Sequence, residues 1–194
     1  MTVLGTLLRN RRSRDAHSAW QRSNLQAPEE LSVTSGDFGD GEPIPADHAG
    51  KRIGGRNLSP QLTWSPPPPG TAELILVVED LDVPTPKPAV HCLVLIDPSR
   101  LDSPGQLPPG ALSAREPAAG VRILRSTIGR GYHGPEPIKG HGPHRYTFQL
   151  FALSQPVSSS ADGAAVDRTR PRALLSALTA PVIARGRLTG TYER

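Results

Sequence analysis

The stretch VVEDLDVPTPKPAVHCLVLID, Val77 to Asp97, decides the fold because it holds the ends of two apolar runs and the turn between them. The complete runs are AELILVVED, residues 72–80, and AVHCLVLID, residues 89–97. Both are rich in β-branched residues and almost continuously apolar, which is typical of strands buried on both faces of a sheet. The proline-rich segment between them predicts a turn, so we expect the two runs to pair as neighbouring strands.

The rest of the chain predicts a mostly β fold with one convincing helix near the C-terminus. That helix is expected over residues 170–186, with Pro171 near its first turn, Gly186 at its end and a kink at Pro181. The 19 glycines and 22 prolines are scattered, which favours many turns and few long helices. No glycine-rich loop leads from a strand into a helix, so a dinucleotide-binding domain is not expected. Further extended segments are predicted at residues 30–38, 61–65, 145–154 and 187–194.

The length of 194 residues fits one domain with an appendage. We divide the chain into an N-terminal basic arm, residues 1–28, and a domain, residues 29–194. The arm contains a short helical segment, Val3 to Leu8, followed by the basic run RNRRSR. Its composition differs from that of the domain, so we expect it to be dispensable for folding. The net charge of +4 arises partly from this run, and the low aromatic content of 4% argues against a nucleic-acid partner.

The compartment is predicted from cysteine usage and from apolar runs. Cys92 is the single cysteine, which excludes an intrachain disulfide and fits a reducing compartment. The chain begins apolar and then basic, the reverse of a secretory signal, and no run approaches the roughly 20 apolar residues of a membrane span. We therefore expect a soluble, cytoplasmic protein with no integral membrane segment. Cys92 is expected to be buried and unreactive.

Polar side chains stand at the ends of the two central runs. Asp80 and Asp82 face one side if the backbone stays extended, which suits acid–base work or a metal. The alternative is an Asx-turn that ends the strand. His91 opens the second run, and in a regular strand it faces the opposite side from Cys92. For a lone histidine, a structural role is the alternative to a functional one.

The segment GYHGPEPIKGHGPHRY, residues 131–146, contains three histidines. The spacing of His141 and His144 allows zinc, but the segment lacks helical pitch and other ligands at suitable spacing, so we expect no metal and no cofactor. Its backbone N–H groups can cradle an anion. His144 and Tyr146 begin the next predicted strand and share a face.

Together these motifs resemble the phosphatidylethanolamine-binding protein (PEBP) family, also called Raf-kinase-inhibitor-like, and in particular its bacterial YbhB/YbcL-like branch. The resemblance covers about residues 31–194. It implies a β-sandwich with a large, antiparallel-rich central sheet, a smaller sheet and one C-terminal helix. It rests on five segments: NLSPQLTW, EDLDVP, VHCLVLID, GYHGPEPIKGHGPHRYTFQLFAL and ARGRLTGTYER.

The resemblance also implies a small pocket for phosphate-like or carboxylate groups. The matching positions in this chain are Asp80, His91, His144 and Tyr146, with Asp82 adjacent. The ends of the central strands would then form the rim of one pocket.

The sequence departs from the family's pattern at Leu81, Cys92 and Glu136. The family usually has proline, an aromatic residue, and glycine or cysteine at these positions. Glu136 would put a negative charge near an anion pocket. It either points outward or favours a zwitterionic head group that carries an amine.

The function implied by the resemblance is binding of a small anionic or zwitterionic ligand, such as a phospholipid head group, with regulation of a protein partner as an extension. A homodimer is compatible with the same resemblance. Two alternatives stay open: an acid–base enzyme that uses the same pocket, and an interaction module in which the pocket is vestigial. No serine or cysteine is placed by a motif as an activated nucleophile, so no enzymatic activity is predicted.

Overall fold

The computed structural model describes residues 3–157 and 165–194. Its regular elements are helices α1 (Val3–Leu8) and α2 (Pro171–Ala177) and strands β1 (Val33–Thr34), β2 (Leu62–Trp64), β3 (Glu73–Asp80), β4 (Ala89–Ile96), β5 (Gln106–Leu107), β6 (Val121–Ile123), β7 (His144–Leu153) and β8 (Val182–Tyr192). Single turns of 3-10 helix and irregular loops connect them.

The strands form two antiparallel sheets. The larger has the order β6-β4-β3-β7-β8 and the smaller the order β1-β2-β5. Strands β3 and β4, predicted from the stretch Val77 to Asp97, pair directly and lie at the centre of the larger sheet. The expectation of a mostly β fold with a large, antiparallel central sheet and a smaller sheet is confirmed.

Two apolar layers cover the faces of the large sheet. Alternate residues of β3 divide between them, because successive side chains of a strand point to opposite faces. One layer joins Leu76 and Val78 to Trp64 of the small sheet. The other joins Val77 to Leu174 of α2. The central strands are therefore buried on both sides, which explains their continuous apolar character.

The predicted helix over residues 170–186 is wrong in its second half. The helix ends at Ala177, and β8 begins at Val182 and continues to Tyr192. Pro181 has no N–H for a helical hydrogen bond and pushes the residue before it toward an extended conformation. The residues after it pair with β7, with Ala184 opposite Ala152. Shorter corrections concern residues 30–38, where only β1 is a strand, and strands β5 and β6, neither of which was predicted.

The N-terminal arm packs against the domain. Ala19, Trp20 and Leu25 are buried in the same apolar layer as Val77. The backbone N–H of Ala19 donates a hydrogen bond of 2.7 Å to the carboxylate of Glu79. This packing argues against a dispensable arm, while the boundary at residue 28 stays a prediction.

Candidate ligand-binding site

Strand β3 ends in an Asx-turn at Asp80. The backbone N–H of Asp82 donates to Oδ1 of Asp80 over 2.8 Å. The turn directs the chain into the proline-rich segment and holds the Asp80 carboxylate at the end of the sheet. The two aspartates then take different partners.

A β-bulge places His91. Val78 lies opposite Cys92 but Glu79 lies opposite Val90, so His91 is the extra residue on β4. Its ring lies nearly perpendicular to the Tyr146 ring, with centroids 5.3 Å apart, on the face where Cys92 packs. The expectation that His91 and Cys92 face opposite sides is therefore wrong, because a bulge resets the alternation of a strand and re-aims its side chains.

The start of β7 brings His144 to Asp80. Its Nδ1 lies 2.8 Å from Oδ2 and 3.0 Å from Oδ1 of that carboxylate. Both residues are buried, with exposures of 1% and 2%. The rings of His144 and Tyr146 stack with centroids 6.4 Å apart, so they share a face as predicted.

The second ring nitrogen of His144 is also occupied. Nε2 lies 2.6 Å from Nδ1 of His141, and Nε2 of His141 lies 3.0 Å from the backbone carbonyl oxygen of Arg11. We call the series Asp80, His144, His141 and the Arg11 carbonyl the relay. Both ring nitrogens of His144 therefore have hydrogen-bond partners within the protein. His144 can act on a bound ligand through the charge of the relay, and not through a direct hydrogen bond.

A cavity of about 570 Å³ opens beside these residues, and we call it the Asp80 pocket. Proline, valine, isoleucine, alanine and threonine side chains form much of its wall. The polar lining residues are Arg52, Asp80, His91, His133, Glu136 and His144. A larger neighbouring cavity, of about 680 Å³, shares His133 but none of the residues predicted from the sequence.

Glu136 lies at this pocket beside an arginine. Its Oε2 is 2.6 Å from both Nε and Nη2 of Arg52, whose side chain is 82% exposed. A Cβ atom at Gly50 would lie 1.9 Å from Oε1 of Glu136, so a glycine is needed there for this placement. The pair puts a positive and a negative charge together at one cavity.

Asp82, in contrast, does not line the pocket. It accepts hydrogen bonds from the backbone N–H and from Nε of Arg145, at 2.8 and 2.9 Å, and Nη1 of Arg12 lies 3.1 Å from it. Burial alone would raise the pKa of its carboxyl, but the hydrogen bonds and charges of Arg145 and Arg12 outweigh burial and lower it. Asp82 therefore joins the arm to β7.

Tyr146 lies behind the pocket lining and is 1% exposed. Its hydroxyl is buried and has no hydrogen-bond partner among the described residues. Burial raises the pKa of the phenol, and the nearby charge of Asp80 raises it further, so the hydroxyl keeps its proton. An unpaired buried hydroxyl costs free energy, and a partner for it would be stabilising.

His91 presents a free nitrogen. Its Nδ1 lies 2.8 Å from the backbone carbonyl of His133 and must be the donor, which leaves Nε2 without a partner among the described residues. Burial lowers the pKa of His91 more than the charge of Asp80 raises it. At neutral pH its Nε2 is thus a hydrogen-bond acceptor.

Sequence reasoning missed the roles of Arg52 and His133, and it noted His141 only as half of a rejected zinc spacing. Arg52 lies outside the recognised motifs, so only proximity in the fold identifies it. His133 lies within the motif GYHGPEPIKGHGPHRY, but nothing in that motif distinguished it from the other two histidines. The His-x-x-His spacing was a true signal, but it places two imidazoles in contact. Within residues 3–157 and 165–194, no three histidine, cysteine, aspartate or glutamate side chains are grouped to hold a metal ion.

Comparison with known proteins identifies the family to which this fold and pocket belong. The sequence profile of the phosphatidylethanolamine-binding protein family matches residues 34–193. The chain belongs to this family. The family supports a PEBP-like ligand-binding protein, and its profile begins after the N-terminal arm.

Several relatives of this PEBP-family chain cover most of its length. A Mycobacterium tuberculosis protein provisionally named lipoprotein LppC is 37% identical over 170 residues, which are 86% of this chain and 74% of the relative. Phomoidride biosynthesis cluster protein B, from a fungus, is 30% identical over 199 residues, 98% of this chain and 92% of the relative. The crystal structure of Escherichia coli YbcL, described as a member of the PEBP family, has a TM-score of 0.72 at 30% identity and covers 85% of this chain and 99% of YbcL. In the described parts of the chain, no helix has the length and apolar character to cross a membrane.

Proposed function

We propose that this PEBP-family protein binds a small ligand with a phosphate or carboxylate group in the Asp80 pocket. The observation that supports this most is the pairing of Asp80 with His144 beside an open cavity. An unpaired carboxylate about 4 Å from a bound anion would repel it by about 4 kcal/mol at an effective dielectric constant near 20. A protonated His144 cancels that repulsion.

The Arg52–Glu136 pair supports a zwitterionic ligand, and a phospholipid head group with an amine fits it. The guanidinium of Arg52 can bind two phosphate oxygens, and the carboxylate of Glu136 can accept hydrogen bonds from an ammonium. Such a ligand would replace the Arg52–Glu136 ion pair with two others, one between Arg52 and the phosphate and one between Glu136 and the ammonium. The orphan hydroxyl of Tyr146 and Nε2 of His91 offer one donor and one acceptor nearby.

Titration calorimetry with inorganic phosphate, phosphoethanolamine and phosphocholine tests the proposal. Phosphoethanolamine should bind most tightly, because it has ammonium hydrogens for Glu136 and phosphocholine has none. Glu136→Gln should reduce this preference, and Glu42→Gln, at an exposed position, is the matched control. The absence of binding by all three ligands would favour an interaction module with a vestigial pocket.

Removal of His144 is the second test. His144→Ala should weaken phosphate binding ten- to a hundredfold, or about 1.5–3 kcal/mol, because it leaves Asp80 uncompensated. Tyr146→Phe should cost about 1 kcal/mol, since it removes one neutral donor. Burial lowers the pKa of His91, so the further gain in anion affinity from charging this residue should appear below pH about 6.5. Binding that is flat with pH and unchanged in His144→Ala would refute the pocket assignment.

An acid–base enzyme is the second candidate, and the free Nε2 of His91 favours it. A buried, neutral imidazole at a cavity can accept a proton from a bound substrate. The name of the fungal relative, which assigns it to a biosynthesis cluster, agrees with this possibility. His91→Gln should then abolish turnover of any substrate found while ligand binding persists, whereas a binding protein should show no turnover at all.

A cytoplasmic location, a protein partner and a homodimer complete the proposal. The lipoprotein name of the mycobacterial relative predicts attachment to a membrane instead. Cell fractionation distinguishes the two locations, and light scattering of the purified protein measures the oligomeric state.

A further inference from the structure

His141 lies between the Asp80 pocket and the N-terminal arm. Its side chain is fully buried, and its two ring nitrogens contact His144 and the carbonyl oxygen of Arg11. Arg11 belongs to the arm, outside residues 34–193 that match the family. The contact therefore joins the pocket to a segment that the family comparison does not include.

The hydrogen bonds of the relay determine its proton count while the arm is docked. A carbonyl oxygen only accepts, so Nε2 of His141 must carry a proton toward Arg11. The contact between His141 and His144 needs one proton, and the contact between His144 and Asp80 needs one more. Three contacts therefore hold three protons. Two neutral imidazoles and a carboxylate supply two, so the docked relay carries one extra proton and has no net charge.

Release of Arg11 changes that count. His141 is then free to move its proton to Nδ1 and donate it to Nε2 of His144. His144 in turn donates from Nδ1 to Asp80. Every internal contact is now satisfied by two protons, and the relay has a charge of −1. Docking of the arm is thus linked to the uptake of one proton at the pocket.

We propose that His141 is a positioning residue that couples docking of the N-terminal arm to the charge of the Asp80 pocket. The neutral, docked relay favours an anion in the pocket, and by reciprocity an anion favours the docked arm. An ammonium group favours the opposite state. The coupling to ligands rests on the proposed function, whereas the coupling between arm and proton stands without it.

Other charged groups near the relay have partners of their own. Asp82 pairs with Arg12 and Arg145, and Arg12 also donates to the carbonyl of Pro143 over 2.8 Å. The lowered pKa of His91 keeps it neutral at pH 7, and the raised pKa of Tyr146 keeps its proton. None of these groups has a hydrogen bond to either imidazole of the relay within the described residues. The extra proton therefore belongs to the relay.

The arm is held by further contacts on each side of the domain's turn after β3. Ser13 donates from Oγ to the carbonyl of Leu81 over 2.5 Å, and the N–H of Arg14 donates to Pro86 over 3.3 Å. His17 donates from Nδ1 to the same Pro86 carbonyl over 3.0 Å. Arg12, Ser13 and Arg14 keep these contacts of their own, so loss of the Arg11 contact should displace the start of the basic run, residues 9–11, and leave the rest of the arm docked.

Nuclear magnetic resonance of the full chain between pH 6 and 9 tests the inference. Imidazole nitrogen shifts should show His141 protonated at Nε2 at low pH and at Nδ1 at high pH. The amides of Arg9 and Arg11 should change environment with the same midpoint. A linkage of one proton predicts that the docking constant falls by up to about tenfold per pH unit above that midpoint.

Two variants separate the coupling from simple packing. Asp80→Asn offers an amide donor to Nδ1 of His144, so the docked relay is satisfied by two neutral imidazoles and docking should lose its pH dependence. His141→Phe should abolish the pH dependence and leave Arg11 released. His17→Ala is the control: it removes an arm contact outside the relay and should keep the pH profile. An unchanged pH profile in Asp80→Asn, or no change of the His141 tautomer in the wild type, would overturn the proposal.

Inorganic phosphate provides the ligand part of the test. Added phosphate should raise the pH at which the arm is released. If the tautomer change and arm release occur together but phosphate has no effect, the relay stands and the anion pocket fails. If phosphate binds without moving the midpoint, the coupling to the pocket is refuted while the binding function stands.

Discussion

Glu79 and Asp80 are neighbours on β3 and both are buried, but they point to opposite faces of the sheet and serve different regions. Glu79 has 0% exposure and accepts hydrogen bonds from three parts of the chain. These are the backbone N–H of Ala19, Nε2 of Gln149 and Nη2 of Arg172, at distances of 2.7, 3.0 and 3.0 Å. Asp80 instead meets the relay and an open cavity.

The difference shows how to distinguish a structural charge from a functional one. All partners of Glu79 come from the protein: Ala19 and Arg172 join the arm and α2 to the sheet, and Gln149 lies on the neighbouring strand β7. Asp80 is paired with a group that can gain or lose a proton, and its remaining side faces space for a ligand. A buried charge whose partners are fixed stabilises one structure, while one with a titratable partner at a cavity can respond to pH and ligand.

Deletion of residues 1–28 should have the largest effect on the Glu79 region. It removes the buried Trp20 and Leu25 and the Ala19 N–H, and truncation of a buried tryptophan or leucine alone typically costs about 2–5 kcal/mol. The free energy of unfolding should fall by more than about 5 kcal/mol, measured by urea denaturation. Deletion of residues 1–8 alone, which keeps both side chains, is the control. Equal stability of the long deletion and the full chain would show that the arm is dispensable after all.

Paired amide substitutions test the comparison directly. Glu79→Gln should cost about 3–5 kcal/mol, because Gln has one acceptor oxygen for three donors and its NH₂ group would face them. Asp80→Asn should stay within about 1 kcal/mol, because the relay can give up its extra proton and remain hydrogen-bonded. Urea denaturation at pH 7 measures both, and similar costs would remove the proposed distinction.

The pH dependence of stability should come from the pocket side of the sheet. Burial lowers the pKa of His91 in the folded state below its usual value of about 6.5. The unfolded chain therefore binds this proton first, and the free energy of unfolding should fall as the pH drops below about 6.5. His91→Gln should show a shallower decrease between about pH 7 and 5. Equal slopes would mean that His91 is not buried as a neutral imidazole.

The smallest expected effect is in the rate at which a thiol reagent labels Cys92. The cysteine is fully buried beside the bulge, and burial raises the pKa of its thiol to about 12. A thiol reagent should label it slowly in the folded protein and rapidly in urea. Rapid labelling of the folded protein would show that the pocket side of the sheet opens readily.

The sequence by itself determined the elements whose signal is local. The apolar runs predict β3, β4 and β7, and the motifs identify Asp80, His91, Glu136 and His144, which the fold brings to one cavity. The pattern of a strand is read from consecutive residues, so these positions needed no knowledge of distant contacts.

The tertiary structure alone decided how those residues act. The bulge at His91 depends on the register between two strands, and the length of α2 depends on the pairing of β8 with β7. The burial of Trp20, the Arg52–Glu136 pair and the contact of His141 with Arg11 join residues far apart in the chain. Their partners are set by packing and hydrogen-bond geometry, for which no local pattern carries a signal.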